Sequence, residues 1–161
     1  DADPGDWLGV VLDTMNVLTM LEDPIRATER ILPWVVATHV KDGGLRAVSN
    51  GFETFPTAVG DGVVNLPGII RRLADSGRPV HLSVEDHGGT FVLETRDECF
   101  LAKFPDLAAD EMADLEALAR HAMQSAVCVP TDRAHWPEIC EDRMSRNIVA
   151  LKAIVTELGM A

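Results

Sequence analysis

The sequence predicts an α/β fold in which parallel strands alternate with helices. Three short runs of mostly apolar, β-branched residues, at 8–12, 35–40 and 79–84, have the composition of strands that are buried on both faces. Helical patterns follow the first two runs, and each of the three runs gives way to polar residues at its end. These observations favour a parallel sheet in one globular domain that spans residues 1–161.

The first βα unit begins with the strand at 8–12, which is followed directly by Asp13. After a short loop, Asp23 can cap a helix, because its carboxylate accepts hydrogen bonds from the first free backbone N–H groups. Pro24 suits the first helical position, where no N–H donor is needed. Apolar residues then repeat at helical spacing as far as Pro33.

The second unit begins with the strand at 35–40 and continues into a long, glycine-bearing loop at 43–62, where we predict no regular element. Asn65 then caps a second helix, which carries Pro67 in its first turn and ends near Gly77.

The third strand, at 79–84, precedes a stretch at 88–109 in which the periodicity is unclear and no element is assigned. A helix with an acidic first turn is predicted from Asp110 to about Gln124. A final helix ends at Gly159, and its predicted buried side consists of Ile148, Leu151, Ile154, Val155 and Leu158.

The charge of the chain argues against a nucleic-acid partner. The 26 acidic and 14 basic residues give a formal net charge of −12, and phosphate backbones bind mainly to lysine and arginine. The apolar runs are shorter than the roughly 20 residues of a membrane helix, and the first residues lack the basic start of a secretory signal. We therefore expect a soluble cytoplasmic protein without a membrane partner.

The most informative side chains lie where the three strands end: Asp13, His39 and Glu85. The carboxyl ends of parallel strands open on one face, so residues distant in the chain can share one site there. Their oxygen and imidazole ligands suit one divalent metal ion, Mn²⁺, Mg²⁺, Co²⁺ or Zn²⁺. Charged residues at strand ends are common, so solvated loop residues are an equally good interpretation of the spacing alone.

Two further features surround these residues. Asp42 is predicted to have a structural role, capping the loop that follows the second strand. The glycines of Gly60-Asp61-Gly62 are predicted to allow a positive φ in a turn.

Four segments resemble signatures of one family and occur in that family's order: GVVLDTMN at 9–16, THVKD at 38–42, GDGVVNL at 60–66 and LSVE at 82–85. They are similar to the sugar phosphate isomerase/epimerase family, within the xylose isomerase-like TIM barrel superfamily. The resemblance implies a (β/α)8 TIM barrel, of which this chain holds only the C-terminal strands and helices.

In that family a Glu, an Asp, a His and a second Glu bind the metal at the ends of strands five to eight. The last three match Asp13, His39 and Glu85, whereas the first Glu has no counterpart in this sequence. The resemblance implies that this Glu lies in a missing N-terminal half, before Asp1, or that a partner chain completes the barrel. A homo-oligomer also remains open.

The resemblance implies a divalent-metal-dependent isomerase or epimerase that acts on a small sugar, sugar phosphate or polyol derivative. Glu85 would then bind the metal and also transfer a proton as a catalytic acid/base. An inosose dehydratase-type lyase is the nearest alternative, and a non-catalytic barrel subunit is an alternative from a different class.

Four residues near the strand ends are candidates for binding the carbohydrate substrate. Asn16 is equally suited to capping its loop. Lys41 and Arg46 offer positive charge to an enolate or a phosphate, although a solvated or salt-bridged role is as good an interpretation. His87 follows Glu85 by two residues in the predicted mouth loop.

Overall fold

The computed structural model describes residues 8–122 and 129–160. Its strands are β1 (Val10–Asp13), β2 (Val35–Val40), β3 (Asp42–Val48), β4 (Gly51–Thr57), β5 (His81–Val84) and β6 (Phe91–Leu93). Its α-helices are α1 (Pro24–Ile31), α2 (Leu66–Asp75), α3 (Glu98–Leu101), α4 (Ala109–Ala122) and α5 (Trp136–Glu157). Short 3₁₀ helices lie at Asn16–Met20 and Leu32–Trp34. The described residues thus form a mixed α/β fold with two three-stranded sheets and no closed barrel.

The first sheet is parallel and has the strand order β1-β2-β5, which confirms the three predicted strands and their direction. In its register Asp13 lies opposite His39, and His39 lies opposite Ser83. The predicted helix caps are also confirmed. Asp23 accepts hydrogen bonds from two backbone N–H groups at the start of α1, and Asn65 accepts one from Gly68 at the start of α2.

The second sheet is antiparallel, with the order β3-β4-β6, and it corrects the prediction that 43–62 is a loop. The missed signal is Asn50-Gly51, a dipeptide that favours tight hairpin turns between two runs of alternating apolar residues. Gly51 has a φ of 146°. A Cβ atom there would lie 2.1 Å from the carbonyl oxygen of Leu93, so glycine also allows β6 to pair closely.

Two hydrophobic clusters correspond to the two sheets. The larger cluster packs β1, β2 and β5 against the helices and includes Leu12, Ile69 and Leu151. The smaller cluster joins β3 and β6 to α4 and includes Leu45 and Leu115. The antiparallel sheet therefore has a core of its own rather than extending the parallel sheet.

The stretch at 88–109, left unassigned from the sequence, contains β6 and α3. Phe100 is buried in the smaller cluster, and its ring centroid lies 5.3 Å from that of Phe104. α4 matches the predicted helix as far as Ala122, whereas Gln124 lies outside the described residues.

α5 is confirmed as a helix, but one residue of its predicted buried side is misplaced. Leu151 is buried, whereas Ile148 is 44% exposed. The reason is that Ile148 lines an open groove with Leu82 and Val84, alongside the unpaired edge of β5. A helical pattern alone could not reveal that nothing within the described residues fills this groove.

One face of the parallel sheet is covered and the other is open. Leu12 and Thr38 are almost fully buried beneath the helices, while Val11, His81 and Ser83 on the opposite face are exposed. Among the described residues no helix is long and apolar enough to cross a membrane.

Candidate metal centre

The parallel register brings Asp13, His39 and Glu85 together at the carboxyl ends of β1, β2 and β5. Each residue offers one ligand atom, and these three atoms lie within 4.8 Å of one another. His39 Nδ1 lies 2.9 Å from Glu85 Oε2. The side chains of His39 and Glu85 are 48% and 42% exposed, so the cluster faces the open side of the sheet.

The chain that leaves β1 fixes the Asp13 carboxylate. Asp13 Oδ1 accepts hydrogen bonds from the backbone N–H groups of Met15, at 3.1 Å, and Asn16, at 2.9 Å. This local turn satisfies one carboxylate oxygen and orients the other towards the cluster. Asn16 therefore contributes its backbone N–H group to the arrangement, while its side chain is exposed.

Lys41 lies beneath the two carboxylates. Its Nζ atom is 3.0 Å from Asp13 Oδ2 and 3.2 Å from Glu85 Oε2, and its side chain is only 1% exposed. Thr14 holds the lysine backbone, because its hydroxyl donates to the carbonyl oxygen of Lys41 and accepts from the N–H group of Lys41. The buried ammonium is thus paired with two carboxylates, and a buried cation requires such pairing.

The local charges also act on Glu85. Partial burial raises the pKa of its carboxyl group, but the hydrogen bond and positive charge of Lys41 outweigh this effect, with help from His39 and His87. The resulting pKa of Glu85 lies below its ordinary value. Electrostatics therefore favours a charged carboxylate at this strand end.

A buried network that the sequence did not reveal anchors the residue after Glu85. The Asp86 side chain is 1% exposed and receives two hydrogen bonds from Arg143 of α5, at 2.8 and 3.0 Å. Asn147, one helical turn later, donates to Asp86 at 2.8 Å and accepts from the N–H group of Val59. One sequence pattern could have revealed this network: an arginine and an asparagine lie four residues apart on an otherwise apolar helix face.

Asp42 organises the loop that follows β4. Its carboxylate accepts hydrogen bonds from the N–H groups of Gly43, Gly60, Gly62 and Val64. The predicted capping role is therefore confirmed. Burial raises the pKa of Asp42 to about 6, against the opposing effect of these four hydrogen bonds.

The two glycines of this loop have different functions. Gly60 has a φ of 95°, as predicted for a turn glycine. Gly62 lies instead against the Asp42 carboxylate, where a Cβ atom would be 2.1 Å from Oδ1. Close packing, rather than a positive φ, explains the second glycine.

The remaining candidates for substrate binding lie in two different places. His87 is next to the anchored Asp86, and its Nδ1 atom is 2.9 Å from the carbonyl oxygen of Gly88. Arg46 lies on β3, pairs with Glu53 of β4 and stacks over Phe55. Within the described residues Arg46 makes no ion pair with the three strand-end side chains.

The donor set fits a divalent cation. Two carboxylates and one imidazole are hard or borderline ligands that suit Mn²⁺, Mg²⁺, Co²⁺ or Zn²⁺. Within the described residues the cluster has three such members. A metal ion held by three protein ligands would keep coordination positions free on the exposed side, which is the arrangement found in catalytic metal sites.

Comparisons with models of protein families, with curated proteins and with solved structures found no match for this chain. Function is therefore inferred from the site geometry and from the four sequence segments at 9–16, 38–42, 60–66 and 82–85.

Proposed function

We propose that this chain forms the metal-binding end of a xylose isomerase-like barrel that acts as a divalent-metal-dependent isomerase or epimerase of a small sugar, sugar phosphate or polyol derivative. The observation that carries this proposal is the convergence of Asp13, His39 and Glu85 at the ends of three neighbouring parallel strands. Active sites of βα barrels lie at this end of the strands. The order of the four family-like segments along the chain supports the same assignment.

Each residue has a distinct part in the proposed chemistry. A divalent ion held by the three ligands would polarise a substrate carbonyl. Glu85, at the exposed mouth, transfers a proton at the carbon next to that carbonyl. Asp13, fixed by two backbone N–H groups, orients the ligand set, and Lys41 stabilises negative charge that develops on substrate oxygen.

The barrel part of the proposal is supported by the open surfaces of the parallel sheet. Parallel sheets normally have both faces covered, and unpaired edge strands are usually protected. Here β1 and β5 are both edge strands, and Val11 on the open face is 51% exposed. Further strands, from the same polypeptide or from a partner chain, would cover this face and supply the first glutamate of the family's ligand set, which has no counterpart in this sequence.

Calorimetric titration of the purified chain with Mn²⁺ tests the metal site. We expect Asp13→Asn to weaken Mn²⁺ binding by at least about tenfold, because it removes a charged ligand from a set of three. Asp61→Asn is the matched control, since its carboxylate is 56% exposed and pairs with Arg146 away from the cluster. Equal Mn²⁺ affinity in both variants would refute the site.

Proton exchange tests the reaction class. Incubation of the protein with ketoses and ketose phosphates in D₂O should place deuterium on the carbon next to the carbonyl, as measured by NMR, and Glu85→Gln should abolish this. A product that has lost water would instead identify a dehydratase-type lyase.

The second candidate function is that of a non-catalytic barrel subunit, and the pairing of Lys41 with the carboxylates favours it. Its ammonium already pairs with both carboxylates, so the cluster is electrostatically supported without any metal. This alternative predicts no Mn²⁺ binding and no deuterium incorporation by the intact protein.

A further inference from the structure

The arrangement of charge in the cluster is asymmetric. The ammonium of Lys41 is buried on the protein side, whereas the side chains of Asp13, His39 and Glu85 are 16%, 48% and 42% exposed towards the open side. A ligand that arrives from the open side therefore meets the carboxylates and the imidazole first, with a fixed positive charge directly behind them.

This buried charge changes the electrostatic balance of the site. The two carboxylates carry two negative charges, and Lys41 cancels one of them, so with neutral His39 the three charged groups have a net charge of one negative. A divalent ion bound there leaves an excess of one positive charge. Covering strands could add a further carboxylate. Even then, the net charge of the metal-bound site is one unit more positive with Lys41 than it would be without it.

We propose that Lys41 determines the charge of the preferred substrate: it weakens binding of the bare divalent ion and favours substrates that present an anionic oxygen, such as a carboxylate beside a hydroxyl or carbonyl group, over neutral polyols. This inference rests on the metal site of the proposed function and narrows its substrate class to sugar or polyol derivatives that carry a carboxylate, that is, to hydroxy or keto acids of this kind. A unit charge a few ångströms from a bound divalent ion changes the affinity of the site for that ion by about tenfold or more, even at a high effective dielectric constant.

The test is Mn²⁺ titration in the presence of either glycolate or ethane-1,2-diol. These two molecules have similar size, but only glycolate carries a carboxylate. In the wild-type chain, glycolate should lower the apparent Kd for Mn²⁺ by about tenfold, and ethane-1,2-diol should leave it unchanged. Lys41→Met should bind Mn²⁺ alone about tenfold more tightly and lose most of the preference for glycolate.

Two controls complete the experiment. Lys152→Met removes the same charge from an exposed position on α5 and should behave as the wild type does. Glycolate also binds free Mn²⁺, but this lowers the free ion concentration equally for every variant, so the comparison between variants at equal glycolate cancels it. Lys41→Arg retains the positive charge and should keep the preference for glycolate, which separates charge from packing if Lys41→Met fails to fold.

The outcomes distinguish the two proposals. Mn²⁺ binding that is equally tight in glycolate and in ethane-1,2-diol overturns the role of Lys41 but leaves the metal site intact. Absence of Mn²⁺ binding under all conditions overturns the metal site, and with it the proposed function.

Discussion

Asp42 is a buried carboxylate whose protonation is linked to the stability of the fold. Four backbone N–H groups bind it, yet burial raises its pKa to about 6, compared with a reference value of 3.8. Because the pKa in the folded state is the higher one, the folded protein binds the proton more tightly than the unfolded chain does. The stabilisation from protonated Asp42 is therefore fully present below about pH 4 and is lost as the pH rises through 6.

This linkage gives a prediction at the scale of one residue. From pH 5 to pH 7.5, loss of the Asp42 proton should decrease the free energy of unfolding by about 1.4 kcal/mol. Asp42→Asn cannot titrate and should lack this component, as measured by urea unfolding at both pH values. Asp61→Asn, in the loop that Asp42 binds, is the control for loss of one carboxylate. An identical pH dependence in wild type and Asp42→Asn would contradict the prediction.

Residues differ in how far the sequence revealed their positions. Asp13, His39 and Glu85 could be placed together because the ends of parallel strands meet by geometry, whatever the details of packing. The sequence also predicts that Lys41 lies near these strand ends, but it does not predict that the lysine is buried. A lysine is rarely fully buried unless it is paired, and the partners of Lys41 come from β1 and from the residue after β5. Such pairing depends on tertiary contacts that no local pattern encodes.

The same limit applies to whole elements. The strands of the parallel sheet and the caps of α1 and α2 followed from local composition. The β3–β4 hairpin was missed because its glycines, at 43, 44 and 51, suggest a loop, whereas the structure uses them for close packing. A Cβ atom at Gly44, for example, would lie 2.4 Å from the ring of Phe55.

At the element scale, α5 is held to the site by one buried ion pair. Arg143 and Asp86 have side chains that are 10% and 1% exposed, whereas Arg146, one turn later, forms an exposed pair with Asp61. Removal of one partner from a buried pair leaves an uncompensated charge, which costs about 3–5 kcal/mol, while exposed pairs contribute about 1 kcal/mol or less.

Arg143→Met should therefore lower the free energy of unfolding by about 3 kcal/mol or more, and Arg146→Met by less than about 1 kcal/mol. Urea unfolding monitored by circular dichroism compares the two variants on the same helix. Similar losses in both variants would show that the Asp86 network does not anchor α5.

At the scale of the whole molecule, the dominant feature is the open face of the parallel sheet. Val11 and Val36 are 51% and 54% exposed on β1 and β2, and both sheet edges lack a partner strand among the described residues. Exposed apolar strands of this kind favour association with other chains, because burial of their apolar surface is favourable and free edge groups can form hydrogen bonds.

We therefore expect the isolated chain to self-associate as its concentration rises, in sedimentation velocity experiments. A double variant, Val11→Lys with Val36→Lys, should weaken this association by adding charge to the open face. Val149→Lys is the matched control, because Val149 is 68% exposed but lies on α5 rather than on the sheet. If the chain stays monomeric, or if all variants associate alike, the open face is not the surface that drives assembly, and completion of the barrel by further strands loses its main structural support.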